Sequence, residues 1–221
     1  MLENAALRGG AVLQGGEVRD SSVTLWGKDR LRLCSGDTAS ALLENCRVDA
    51  AGYTGEEPAV VVESRGERKS RISGGEITLP ENGTLLNRGV LSDLTVRGGT
   101  LLNSGVLDTG KNVVGADVIC DGEGWSCSGI FTGNVQAGSG GNIRQAVVFG
   151  ALTGAESADL TLVVKDSTQP VTLWGVECPD GTVVHTVGQP QLEAAAPADI
   201  TAPASSSAVR APAISMSFRC A

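Results

Sequence analysis

Gly83-Thr84-Leu85-Leu86-Asn87-Arg88-Gly89-Val90-Leu91 is followed, sixteen residues on, by Gly99-Thr100-Leu101-Leu102-Asn103-Ser104-Gly105-Val106-Leu107, and the two differ only at Arg88 and Ser104. A period of sixteen is too short for a pair of helices. Short apolar runs punctuated by Gly and Asn are strand and corner chemistry. The repeat therefore predicts a Gly-rich β-solenoid, in which one coil of backbone stacks on the next and like residues fall above one another. Glycine adopts φ > 0 at a tight corner without penalty, and asparagine is the next best residue there. Asn87 with Gly89, and Asn103 with Gly105, are accordingly assigned to equivalent corners. Stacked corner asparagines are expected to hydrogen-bond along the axis, as polar ladders do in cross-β stacks.

Outward from the repeat the same shape loosens. Toward the N-terminus, Gly10-Ala11-Val12-Leu13-Gln14 has the form of Gly99 to Asn103, and Val23 to Trp26 and Leu31 to Cys34 read as strands. Ala41-Leu42-Leu43-Glu44-Asn45 shares the Leu-Leu-x-Asn form, although an Ala-Leu-Leu-Glu run also suits a helical turn. The charged piece Glu63 to Lys69 is read as an exposed loop projecting from the coils. Ile72 to Leu79 leads into the repeat, Val113 to Cys120 is a further coil, and Asp121-Gly122-Glu123-Gly124-Trp125-Ser126-Cys127 breaks the rhythm.

The character changes near Gly154. Runs at 160–165, 171–176 and 182–187 alternate, with Pro179-Asp180-Gly181 as a turn between the last two. They predict a small antiparallel β unit. Val171-Thr172-Leu173-Trp174-Gly175 also duplicates Val23-Thr24-Leu25-Trp26-Gly27 letter for letter. The Ala/Pro/Ser-rich remainder reads as an extended tail, ending in a strand with Ile214, Met216 and Phe218 on one face that docks on its own domain or on a neighbouring chain. The organisation expected is thus 1–153 solenoid, 154–189 antiparallel unit and 190–221 tail.

Composition agrees with an all-β chain of this kind. Of 221 residues, 41% are apolar, only 3% are aromatic, and 30 are Gly. A narrow solenoid interior filled by stacked aliphatics needs few rings. The formal net charge is -8 with no long cationic block, which argues against nucleic acid as a partner. No apolar run approaches the roughly 18 residues of a membrane-spanning helix. Met1 to Ala6 lacks a basic region followed by an apolar run, so no standard secretory signal is read there.

The six cysteines, Cys34, Cys46, Cys120, Cys127, Cys178 and Cys220, are sparse and contain no Cys-x-x-Cys, and His185 is the single histidine. Neither a small-domain disulfide framework nor a zinc site is expected. Buried reduced thiols are the main reading, with a Cys120 to Cys127 loop bridge as the oxidised alternative. No cofactor is expected.

No nucleophile elbow, phosphate loop or metalloprotease helix is present, so no catalytic residue is assigned. Trp125, in a Gly and Ser context, is a candidate sugar-stacking platform with Asp121 and Glu123 as its polar neighbours, against the reading that its ring fills a gap between coils. Asp117, Asp121 and Glu123, or Asp93 with Asp108, are the carboxylates that a minority reading as a glycan-cleaving enzyme would use.

The Gly-Thr-Leu-Leu-Asn-x-Gly-Val-Leu units resemble the coils of phage tail fibre and tailspike shafts and, less closely, of bacterial autotransporter adhesin passengers. The resemblance centres on residues 72–120. It implies a virion tail component, usually a homotrimer, that meets other tail proteins and presents a shaft or a receptor-binding surface, with a host surface glycan as a possible ligand. The adhesin alternative implies a cell-surface location. No site residue carries over from either family.

Overall fold

The computed structural model describes residues 1–138, 140–148, 150 and 152–153, and the strands Asp159–Val163, Val183–Val187 and Ser215–Arg219. Among the described residues the structure is all-β, with no helix. Two parallel sheets, 16-stranded and 8-stranded, dominate it. Parallel neighbours need a long crossover, usually a helix. Here the connection between neighbours is made of other strands.

Three runs of parallel pairing carry this. One contains Leu2–Glu3, Gly16–Arg19, Ala41–Glu44, Arg71–Ser73 and Val90–Ser92. A second contains Ala6–Arg8, Ser22–Gly27, Arg47–Tyr53, Glu76–Thr78 and Thr95–Arg97. These two merge into the larger sheet through the long strand Val106–Val114, which pairs with both. The third run, the smaller sheet, contains Ala11–Gln14, Leu31–Cys34, Val60–Val62, Thr84–Asn87, Thr100–Asn103 and Asp117–Cys120. The chain visits the three runs in turn and then repeats.

The sequence repeat is the register itself. Thr84, Leu85, Leu86 and Asn87 pair with Thr100, Leu101, Leu102 and Asn103, while Val90 and Leu91 pair with Val106 and Leu107. Along each run one side chain in two points inward, and the inward positions stack: Val18, Leu43, Ile72, Leu91, Leu107 and Cys127 form one column. Leu31, Val60, Leu85, Leu101, Val118 and Val135 form another. Every member of both columns is buried. At about 25 cal/mol per Å² of apolar surface, columns of aliphatics bury efficiently without aromatic volume.

The strand reading of 41–44 holds over the helical turn, and other expectations change. The Ala41–Glu44 run is a strand, its Leu43 buried against Val18 and Ile72. The charged piece at 63–69 is a two-stranded antiparallel hairpin, Ser64–Arg65 with Arg68–Lys69, turning at Gly66 with φ +61°. Beyond residue 153, Asp159–Val163 and Val183–Val187 are direct parallel neighbours, and Leu160 continues the larger sheet from Ala146. The expected antiparallel meander would have kept those two strands apart. The only antiparallel partner there among the described residues is the terminal strand Ser215–Arg219, which pairs with Val183–Val187 of its own chain. The expected strand at 171–176, Cys178 and the extended tail before residue 215 lie outside the described residues.

The left-handed corners also fall elsewhere than expected. Asn4, Asp20, Asn45 and Asp93 have φ between +47° and +52°, whereas Asn87 and Asn103 are not in that region. These four stand between the first and second runs, where the chain turns within two residues. Each sends its backbone N–H to the following turn: Asn4 to Arg19 O, Asp20 to Glu44 O, Asn45 to Ser73 O and Asp93 to Asp108 O, at 2.8–3.2 Å. Short polar side chains carry the least penalty in that conformation after glycine.

Candidate functional site

Asn87 and Asn103 end their strands with side chains pointing inward, and both are fully buried. Asn87 Nδ2 donates to Asn103 Oδ1 at 2.8 Å and to Val106 O at 3.0 Å, while Asn87 Oδ1 accepts from Gly89 N at 3.0 Å. Asn103 repeats the set one turn on, donating to Ser126 O at 3.1 Å and accepting from Gly105 N at 3.3 Å. Where a third asparagine would stand the column has Cys120, whose sulfur accepts from Asn103 Nδ2 at 3.7 Å. Buried amides are tolerable only when so completely paired. The reason for glycine at 89 and 105 is close approach: a Cβ at Gly89 would run into Ser70 O, and one at Gly105 into Gly89 O.

The loop after Cys120 corrects the binding assignment of Trp125. Its indole is 2% exposed and lies against Gly141, where any Cβ would collide with the ring. The ring is therefore core filling and offers no stacking face. Asp121 and Glu123 are exposed beside it, and Asp121 Oδ1 accepts from Gly122 N at 2.8 Å. The other carboxylates singled out also serve turns. Asp117 Oδ1 accepts from Asn134 N at 2.9 Å, and Asp108 Oδ1 from Gly110 N at 3.1 Å. Asp93 lies over Gly110, where an added Cβ would meet its carboxylate.

Among the described residues the exposed aromatic is instead Trp26, at 73%. Its ring packs on Gly52 of the next turn, a contact that a side chain there would abolish, and presents the rest of its surface to solvent. The neighbourhood is rigid: Thr54 N donates to Gly27 O at 2.7 Å, Tyr53 is buried with its hydroxyl on Glu57 O at 2.6 Å, and Arg30 holds Pro58 O at 2.8 Å and pairs with Glu57. Exposed Lys28, Thr54 and Glu56 supply polar groups nearby in the chain. The available sequence signal was alternation, since Val23 and Leu25 point inward and place Trp26 outward.

A second polar cluster joins Arg32, Cys34 and Glu63. The Cys34 thiol donates to Glu63 Oε2 at 3.1 Å and Arg32 pairs with the same oxygen at 3.0 Å. These two bonds hold the Glu63 carboxyl below the usual range, opposed by its partial burial. Burial, and next the bond to Glu63, push the Cys34 thiol up, which is the opposite of nucleophile activation.

Among the described residues no three His, Cys, Asp or Glu side chains are grouped to hold a metal ion. Nor is any described helix long and apolar enough to cross a membrane. An apolar recess of about 330 Å³ opens at the first turn, lined by Leu2, Leu7, Leu13, Val18, Val23 and Leu43 among others. The chain matches no protein-family model, no curated protein and no solved structure.

Proposed function

We propose that the chain is a β-solenoid serving as a non-catalytic structural or receptor-binding component of a phage tail, assembled as an oligomer, with a homotrimer favoured. The observation that carries assembly is the first turn. Among the described residues, Leu2–Glu3, Ala6–Arg8 and Ala11–Gln14 each have a strand partner on one side only, above an apolar recess, with Met1 84% and Leu2 40% exposed. Unpaired parallel edges over exposed core side chains are a strong drive to association. The phage assignment rests on the likeness of the repeat to tail shafts, and it places the chain in the virion beside other tail proteins.

For a receptor-binding role, Trp26 is the place to look, because an outward ring on a rigid backbone gives a sugar face or a protein partner contact area at little entropic cost. The test is light scattering across a concentration series together with electron microscopy of the full chain. A trimeric, rod-like particle supports the proposal, and a monomer at all concentrations refutes assembly. A glycan array with wild type and Trp26→Ala then separates a receptor-binding tip from a spacer, since a spacer binds nothing. Release of reducing sugar that is lost in Asp121→Ala or Glu123→Ala would overturn the non-catalytic reading in favour of a tailspike enzyme.

A further inference from the structure

We propose that the bond between Asp121 and Gly122 is a site of self-modification, at which the Gly122 backbone nitrogen closes on the Asp121 side chain to a succinimide that reopens to isoaspartate. Gly122 N donates to Asp121 Oδ1 at 2.8 Å, so the side chain is already folded onto the nitrogen that follows it. The carboxyl carbon is one bond away from the atom that this nitrogen touches. Holding a nucleophile against its electrophile supplies much of the rate of an intramolecular reaction.

The surroundings give room and access. Asp121, Gly122, Glu123 and Gly124 are all exposed. Gly122 stands at φ +91°, a conformation open to glycine, and the nearest atoms to a Cβ placed there belong to Ser104 at 3.8 Å, so nothing crowds ring closure. The same chemistry is held back elsewhere. At Asn82 the following nitrogen is occupied, because Gly83 is buried and its N donates to Pro80 O at 2.8 Å. The buried asparagines are protected likewise: Arg88 N donates to Val62 O at 2.7 Å and Ser104 N to Asn87 O at 2.8 Å. The remaining Asp-Gly pair, Asp180 with Gly181, lies outside the described residues.

In the reaction the Gly122 nitrogen bonds to Asp121 Cγ, and one carboxyl oxygen departs as water with the amide proton and a proton from solvent. Water then adds back to one of the two ring carbonyls. Breaking the new N–Cγ bond restores aspartate, whereas breaking the original peptide bond leaves the chain running through Cβ and Cγ beside a free α-carboxylate. One water leaves and one returns, with no oxidant or reductant consumed. The added backbone atom enters a stacked loop, since Gly124 N donates to Gly140 O at 2.6 Å and a Cβ at Gly140 would meet Gly122 O. Isomerisation therefore displaces this loop from the next turn.

The experiment incubates the full folded chain for weeks at neutral pH and physiological temperature with a thiol reductant, beside synthetic peptides of residues 79–86, 100–107 and 118–126. Trypsin places Asp121 on the fragment 112–144, apart from Asn82 on 72–88 and Asp180 on 166–210. Electron-transfer fragmentation identifies isoaspartate by cleaving its extra Cα–Cβ backbone bond. The expected result is isoaspartate at position 121 of the folded chain, formed at a rate equal to or above that of its peptide. At Asn82 and Asn103 the folded rate is expected to fall at least about fivefold below the peptide rate, as the opening of one backbone hydrogen bond requires. Asp121→Asn is expected to close the same ring with loss of ammonia, read directly as the change in mass from amide to acid. Slower modification of Asp121 in the folded chain than in its peptide would overturn the proposal, as would isoaspartate on fragment 112–144 that persists in Asp121→Ala.

Discussion

Replacing Asn103 by alanine withdraws four hydrogen bonds from the interior at once. Asn87 Nδ2 keeps Val106 O but loses Asn103 Oδ1, Gly105 N loses its acceptor, Ser126 O loses a donor, and the Cys120 sulfur loses its amide. A buried polar group left without a partner costs roughly 1–3 kcal/mol, and partial relaxation or an entering water recovers some of it. The expected loss is about 3 kcal/mol, large against a total stability of order 5–15 kcal/mol. Urea unfolding followed by far-UV circular dichroism reads it as a fall in midpoint at constant slope. The column also predicts coupling. Asn87→Leu with Asn103→Leu removes both partners of the 2.8 Å bond, so the double variant should lose about 1 kcal/mol less than the summed singles. Ser104→Arg is the control, expected within about 0.5 kcal/mol of wild type because Arg88 occupies the same place one turn earlier. A loss below about 1 kcal/mol for Asn103→Ala, or strict additivity of the leucine pair, would refute the view that this column is a cooperative buried network.

Gly105→Ala drives a Cβ into Gly89 O and should destabilise by at least about 2 kcal/mol, whereas Gly124→Ala has open space and costs only its left-handed backbone, about 1 kcal/mol; thermal melts of the two distinguish clash from strain. Trp125→Ala should cost about 3–5 kcal/mol and Trp26→Ala under about 1 kcal/mol, and acrylamide should quench fluorescence strongly in Trp125→Phe and weakly in Trp26→Phe at matched Trp174 background. For Glu63, whose carboxyl is held low by Cys34 and then Arg32, the folded state binds its proton less readily than the unfolded chain. Its contribution is therefore present above the unfolded carboxyl range and is lost as pH falls through the lowered folded value. Acid titrations of stability should show a shallower fall below about pH 4.5 in Glu63→Gln than in wild type.

The stacking was legible in the sequence because two nonapeptides alike at eight of nine positions admit one register that puts Leu on Leu and Asn on Asn. Less regular turns were legible as strands, through alternation and Gly punctuation. Their alignment was not, since the spacer between equivalent inward residues varies: Val18 pairs with Leu43, Leu43 with Ile72 and Ile72 with Leu91. Unequal loops leave the phase of each strand undetermined until its neighbours are placed. The two tryptophans show the consequence. Trp125 sits among Gly and Ser in a stretch that looks like surface, yet its ring enters the interior because Gly141 on the next turn leaves it room. Trp26 stands on the outward phase of an alternating strand and faces water.

What the amino-acid order determined by itself was a stack of short parallel strands with aliphatic columns and a pair of asparagines at matched positions, because repetition at fixed spacing forces like onto like. What only the tertiary structure decided was what each corner does. Asn87 and Asn103 turn inward and bond along the axis, while Asn4, Asp20, Asn45 and Asp93 take the left-handed turns. Both roles suit the same residue type, and the choice depends on which carbonyls and amides the next turn of chain brings within reach.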